Sequence, residues 1–129
     1  MRGHIRQFRD LDVWQAGMDL AVLTYGLTAK LPPDERFGLS SQMRRAAISI
    51  PTNVAEGHAF RTRPRAYRRY VRIALGSFAE LETQVELTMR LQMLSEESLK
   101  PMQHQLKRTG QLLHGLLRAL RSIKDDNRD

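Results

Sequence analysis

Residues 64–94 read PRAYRRYVRIALGSFAELETQVELTMRLQML, and this stretch decides the fold class. Apolar residues recur in it at alternating spacings of four and three, which places them on one face of a helix. The row consists of Tyr67, Val71, Ala74, Phe78, Leu81, Val85, Met89 and Gln92. The pattern predicts a helix of about 31 residues, roughly 46 Å long.

Three further helical patterns flank it, over about residues 11–31, 38–60 and 96–123. The expected core row of the first is Trp14, Met18, Ala21, Val22 and Tyr25, with Thr28 as a further candidate. That of the second is Leu39, Met43, Ala46, Ile50, Val54 and Gly57, and that of the fourth is Leu99, Met102, Leu106, Gly110, Leu113, Leu116 or Leu117, Leu120 and Ile123. No strand pattern competes. The linkers are short, which indicates an all-α, antiparallel up-and-down four-helix bundle over residues 10–123. A basic N-terminal arm, 1–9, precedes it, and a charged tail, 124–129, follows.

The second helix carries an additional apolar row, Ala47, Ile48, Pro51, Ala55 and Ala59. A helix with two apolar faces is buried on more than one side, and a four-helix chain this small covers only one of them well. The third helix has a row that is apolar at both ends and polar in the middle. We therefore predict a subunit interface formed by Ile48, Pro51, Ala55, Ser77, Glu80 and Gln84. A solvated polar row is the alternative for the last three.

Catalytic patterns are lacking. The chain has no cysteine, no P-loop, no dinucleotide-binding fingerprint and no nucleophile elbow, and none of its four histidines follows a glutamate by three residues. We therefore predict a protein that is not an enzyme and holds no cofactor or metal. The polar N-terminus does not resemble a secretory signal, and no apolar run is long enough to span a membrane. The expected compartment is the cytoplasm.

The charge distribution suggests a partner. The net charge is +7, and residues 57–79 contain six arginines and no acidic residue. Such a block is either solvated or matched to a polyanion, of which nucleic acids are the largest. The candidate nucleic-acid-binding residues are Arg61, Arg63, Arg65, Arg68, Arg69 and Arg72, with Arg44 and Arg45 secondary. Tyr70 offers a stacking face, as does Tyr67, although Tyr67 lies on the core row.

Two other functions stay open. The first is a structural or protein-interaction scaffold whose arginines form salt bridges between subunits. The second is a small enzyme whose site forms only on assembly.

Three segments carry a family resemblance. They are Asp12-Val13-Trp14-Gln15, the run from Phe37 to Gly57, and the run from Ile73 to Gln84. With them the chain resembles, from about Phe8 to Leu120, the four-helix-bundle proteins encoded in intervening sequences of bacterial 23S ribosomal RNA genes, also labelled S23 ribosomal proteins. It is also similar to the accessory protein of diversity-generating retroelements.

The resemblance implies a closed four-helix bundle that assembles as a ring-shaped homopentamer. It implies no catalytic residue. The retroelement relatives bind nucleic acid and a reverse transcriptase, so a reverse transcriptase-like partner is implied by family analogy only. One departure is local: the family usually carries an acidic residue before the aromatic at the start of the third helix, where this chain has Ala66 before Tyr67. The substitution makes the arginine block more basic.

Overall fold

The computed structural model describes residues 5–123, and the protein in this range is built from four α-helices. They are α1 (Asp12–Thr28), α2 (Leu39–His58), α3 (Pro64–Arg90) and α4 (Glu96–Arg121). Two short 3₁₀ turns, Phe8–Asp10 and Pro33–Glu35, precede α1 and α2. No strand occurs among the described residues. The predicted tail, 124–129, and the first four residues of the predicted arm lie outside them.

The four helices form an antiparallel bundle in which each packs against two neighbours, α1 on α2, α2 on α3, α3 on α4 and α4 on α1. Pairs of contacts show the direction. Ser49 of α2 meets Ser77 of α3, whereas Gly57, two turns later in α2, meets Tyr67 and Tyr70, earlier in α3. In the same way α4 approaches α3 with Leu120 at Arg68 and Gly110 at Phe78. The predicted fold class is confirmed within the single chain.

The core rows of α2, α3 and α4 lie largely where the sequence places them. Met43, Ile50, Leu81, Leu99 and Leu113 are fully buried, as the helical spacing requires. Gly110 makes room for Phe78, because a Cβ on Gly110 would lie 2.7 Å from Cζ of that ring. The Phe78 ring therefore packs against α4 at Gly110, the position where α4 has no side chain.

The predicted core row of α1 is wrong at Met18, Val22 and Tyr25, whereas Thr28 is buried and Trp14 and Ala21 pack against the core while partly buried. The buried residues are Val13, Ala16, Gly17, Leu20, Thr24, Leu27 and Thr28. Of the predicted residues, Val22 is 70% exposed, while Met18 and Tyr25 are exposed by 39% and 44%. The core face of α1 includes two threonines, whose hydroxyls donate to the carbonyls of Leu20 and Thr24 and so satisfy themselves within the helix. The apolar spacing pattern therefore did not identify Thr24 as part of the buried face.

The ends of α3 and α4 follow from local chemistry. α3 ends at Arg90 rather than near Leu94, because Gln92 adopts a left-handed conformation with φ 58°. The amide of Met93 then donates to the carbonyl of Thr88 at 2.9 Å, a bond typical of a helix C-terminus. Ser95 caps α4 by accepting a hydrogen bond from the amide of Ser98.

Two side chains of α4 converge on one backbone carbonyl of α1. Gln105 Nε2 donates to the carbonyl of Ala16 at 3.0 Å, and Thr109 Oγ1 donates to the same oxygen at 3.3 Å. These directional bonds fix the axial position of α4 against α1, which apolar contacts alone define less sharply. They join residues 89 and 93 positions apart in the chain.

Candidate nucleic-acid interface

Five of the six predicted arginines in the 57–79 block lie on the surface, at the end of the bundle where α2 passes into α3. Arg61, Arg63, Arg65, Arg69 and Arg72 are all exposed. Backbone hydrogen bonds hold the turn between the two helices. The amide of Arg61 donates to the carbonyl of His58, and the amide of Arg63 donates to the carbonyl of Phe60. Pro64 then begins α3, where its missing N–H leaves no bond unmade. We call this exposed group the arginine cluster.

Arg68 departs from the prediction. It is only 8% exposed, and its Nη1 donates to the carbonyl of Leu120 in the last turn of α4 at 3.1 Å. A cation at a helix C-terminus satisfies an orphan carbonyl and interacts favourably with the helix dipole. Arg68 therefore holds α3 to α4 and is not available to a phosphate.

The two secondary arginines lie elsewhere. Arg44 is half-buried, its Nε donates to Thr28 Oγ1 at 2.8 Å, and its guanidinium lies 4.5 Å from the ring centroid of Tyr25. Arg45 is exposed beside it. Fourteen residues separate Arg44 from the end of α2 at His58, which corresponds to about 21 Å along the helix. The structure does not bring Arg44 and Arg45 together with the arginine cluster.

An aromatic group adjoins the cluster. Tyr67 is buried, as its place in the core row predicts, and its ring meets His58 edge-on with centroids 6.3 Å apart. Tyr70 is only half-buried and stacks on Phe60. The helical patterns gave no role to Phe60, because it lies past the last core position of α2.

His58 is buried next to cations, and both conditions lower its pKa. Burial is the larger cause, since removing the imidazolium from water disfavours the charged form, and Arg61 adds repulsion. Asp10 opposes the shift by attraction. The same burial raises the pKa of Tyr67. At neutral pH the cluster therefore owes its positive charge to arginines alone.

Three of the predicted interface residues lie along one groove between α1 and α2. Ile48, Pro51 and Ala55 line it together with Trp14 and Met18, in an almost wholly apolar concavity of about 410 Å³. Ile48 is 44% exposed, and Pro51 is buried against Gly17 of α1. Met18, Val22 and Tyr25 extend the exposed apolar surface along α1. We call this surface the α1–α2 groove.

The other three predicted interface residues differ among themselves. Glu80 is exposed, as a surface residue must be. Ser77 Oγ donates to Ser49 Oγ of α2 at 2.7 Å, so its hydroxyl is satisfied within the chain. Gln84 is buried within the chain itself, at 7% exposure, and offers no surface to a second copy. Its Oε1 accepts no hydrogen bond in the described part of the protein.

Residues 5–123 contain no group of three or more histidine, aspartate or glutamate side chains placed to hold a metal ion. None of the helices in this range is long and apolar enough to cross a bilayer.

Comparison with known proteins gives a family and a fold. Residues 9–115 match the family described as 23S rRNA-intervening sequence protein. A similar solved structure is the 1.70 Å crystal structure of a protein of unknown function from the S23 ribosomal protein family of Bacteroides thetaiotaomicron. The two chains share 23% sequence identity and superpose with a TM-score of 0.74, over 82% of this chain and 98% of the other. No curated protein matches the chain.

Proposed function

This chain belongs to the 23S rRNA-intervening sequence protein family, and from its own surface we propose that it is an oligomeric helical bundle that binds RNA or DNA through the arginine cluster. The observation that carries the proposal is the exposure of Arg61, Arg63, Arg65, Arg69 and Arg72 at one end of the bundle, in a segment with no acidic residue. Arg68 is left out because it is buried.

Two arginines of the cluster have no carboxylate partner in the described part of the chain. Within residues 5–123, Arg69 and Arg72 form no ion pair, whereas Arg90 and Lys100 on the same chain each pair with a glutamate of their own helix. Guanidinium groups bind phosphate oxygens in a bidentate manner. The sequence resembles no known sequence-reading module, so binding is expected to depend on charge and shape rather than on base sequence.

We propose that the protein works as a homo-oligomer. The α1–α2 groove is apolar. On α3, which does not pack beside α1, Ile73 and Leu87 are exposed apolar side chains, and so is Leu91 just past the last residue of that helix. Two different apolar surfaces on one subunit favour a head-to-tail interface. Such an interface closes into a ring when the rotation between neighbouring subunits permits it. A ring of five is what the family resemblance implies. Oligomerisation would repeat the arginine cluster around the assembly.

A non-enzymatic role in the cytoplasm completes the proposal. The lack of cysteine fits a reducing compartment. The nucleic acid is the proposed partner, and a reverse transcriptase-like protein stays an expectation from family analogy.

The test is fluorescence anisotropy with labelled RNA and DNA at increasing salt. Each phosphate neutralised contributes a slope of about −0.9 on duplex DNA, or −0.7 on single strands, in a plot of log affinity against log salt. Replacing Arg63, Arg69 and Arg72 together by alanine should flatten this slope. Replacing Arg90, Lys100 and Lys107, which removes the same charge from other exposed positions, should affect it less.

Two outcomes are decisive. The cluster variant should keep the melting temperature and oligomer mass of the wild type, because exposed substitutions change stability by about 0.5 kcal/mol or less. If the folded wild-type protein binds neither polymer at low salt, the proposal is overturned. The scaffold function, with arginines used between subunits, is then the better account.

A further inference from the structure

The arginine cluster surrounds a pair of stacked aromatic rings. Phe60, just past the end of α2, and Tyr70, in the second turn of α3, have ring centroids 5.5 Å apart and planes inclined by only 7°. Phe60 is 37% exposed and Tyr70 is half-buried. The stack fixes the plane of both rings, and part of the ring surface stays exposed to solvent.

The backbone holds this pair in place. The amide of Phe60 donates to the carbonyl of Gly57 at 2.9 Å, and the carbonyl of Phe60 accepts from the amide of Arg63 at 2.8 Å. Gly57 permits the close approach of α2 to α3, since a Cβ there would lie 2.9 Å from Tyr67 Cδ1 and from Tyr70 Cβ. The aromatic pair is therefore preorganised rather than a chance contact of two surface side chains.

The rings form one wall of a concavity of about 620 Å³, which is lined by Phe60, Arg65, Ala66, Arg69, Tyr70 and Arg72. Its size lies in the range of about 300–1,000 Å³ that small-molecule sites occupy. Arg65, Arg69 and Arg72 are spaced by four and three residues, so they project from one side of α3. Among residues 5–123 no acidic residue lines the concavity, and Ala66 contributes only a small side chain to it.

We propose that this concavity holds an unpaired base of a single-stranded nucleic acid, stacked on the Phe60–Tyr70 pair, while the arginines bind the adjoining phosphates. The inference rests on the proposed nucleic-acid binding and narrows it to unpaired strands. Aromatic side chains and a cationic groove together are the means by which proteins bind single strands without reading sequence. Bases within a duplex are stacked on their neighbours and present only their edges.

The experiment compares single strands of equal length and charge with a duplex that has the same total number of phosphates. Anisotropy is measured with labelled oligothymidylate, oligouridylate, an abasic DNA strand and a duplex, all at one salt concentration. Both base-containing single strands should bind more tightly than the abasic strand, and more tightly than the duplex. The thymidylate and uridylate strands separate DNA from RNA. Equal affinity for the abasic and base-containing strands would overturn the inference, although the charge-driven binding proposed above would stand.

Variants of the rings test the same point. Phe60→Leu and Tyr70→Leu should each weaken binding of the thymidylate strand roughly tenfold, the scale of one lost base–aromatic stack, and leave the abasic strand unaffected. Tyr70→Phe, which keeps the ring, should bind as the wild type does. Loss of equal size on both strands would contradict the inference.

A charge placed in the concavity supplies a second, independent test. Ala66→Glu should weaken binding of the single strands more than Ala79→Glu, which adds the same charge to an exposed position of the same helix outside the concavity. Each variant is checked by its melt and by its mass in light scattering. If the ring variants keep their fold and their affinity but change the oligomer mass, the concavity is a contact between copies of the chain, and the inference falls.

Discussion

Arg68 and Leu120 join the first turns of α3 to the last turn of α4, through a 3.1 Å hydrogen bond between residues 52 positions apart. The guanidinium is buried and Leu120 is part of the core, so the bond is shielded from water. Neighbouring Arg69 is exposed on the same helix. Two adjacent arginines thus have different tasks, one in holding the bundle together and one at its surface.

This difference predicts unequal stability effects. Arg68→Ala should destabilise the protein by about 1.5–3 kcal/mol, because it removes a hydrogen bond from a charged donor and leaves the Leu120 carbonyl without it. Arg69→Ala should stay within about 0.5 kcal/mol of the wild type. Urea unfolding followed by circular dichroism measures both. Equal losses for the two variants would show that Arg68 has no special structural part.

Glycine-to-alanine substitutions should have opposite signs at two positions. Gly110→Ala is expected to cost roughly 1–3 kcal/mol, because the new Cβ would lie 2.7 Å from Phe78 Cζ in a packed core. Gly76→Ala should stabilise α3 by up to about 1 kcal/mol, since beyond the adjoining backbone of α3 no atom lies within 4 Å of its Cβ position, and alanine favours helix. Thermal melts compare them, and a stabilised Gly110→Ala would contradict the packing.

The α1–α2 groove predicts the assembly state. Light scattering at micromolar concentration should give a mass several times 14.9 kDa, because exposed apolar surface of this extent is rare on monomers. Ile48→Glu should lower that mass by placing a carboxylate in the interface. Ile123→Glu, at an exposed position past the end of α4, is the matched control and should leave the mass unchanged. A soluble wild-type protein at the monomer mass would refute the interface.

The buried imidazole of His58 predicts a pH dependence. The folded protein lowers the pKa of His58 below its ordinary 6.5, so the unfolded chain binds more protons around that pH. The contribution of neutral His58 to the free energy of unfolding is therefore present above pH 6.5 and is lost as the pH falls below that value. The free energy of unfolding should drop between about pH 7 and 5, and less so in His58→Gln.

Two neighbouring groups bear on that pH experiment. Asp10 attracts the imidazolium, but its own pKa lies below 3.8, so it stays ionised throughout the window. Arg61 is the neighbouring cation that repels the imidazolium. His104→Gln, on the exposed face of α4, is the control, and its free energy of unfolding should drop over this pH range as that of the wild type does. If the free energy of unfolding depends on pH in the same way in His58→Gln and in the wild type, the drop is not due to His58.

Helical spacing predicted the bundle well where core positions are large and apolar. Met43, Ile50, Leu81 and Leu113 follow the rows of their helices and are buried. It failed for part of α1, where apolar residues occur on most sides and the buried face includes Thr24. A spacing rule ranks faces by residue type and does not register that a threonine hydroxyl bonded to its own helix packs as an apolar group.

The candidate site was predicted only in part, and the reason is similar. A run of arginines in the sequence does not show which of them meets a carbonyl of another helix, and Arg68 does so only because α4 ends beside it. The sequence pattern did not predict a role for Phe60, because the turn between α2 and α3 brings its partner, Tyr70, to it. Both depend on tertiary neighbours, which local spacing does not encode.

The two bonds that α4 donates to the Ala16 carbonyl have a consequence for how the chain is made. During synthesis α1, α2 and α3 leave the ribosome first, and their shared apolar interior faces water until α4 follows. The last helix supplies both the cover and the hydrogen bonds that set its position. Closure therefore joins the earliest and latest helical segments, so a nascent chain stalled within α4 exposes its core to chaperones and proteases.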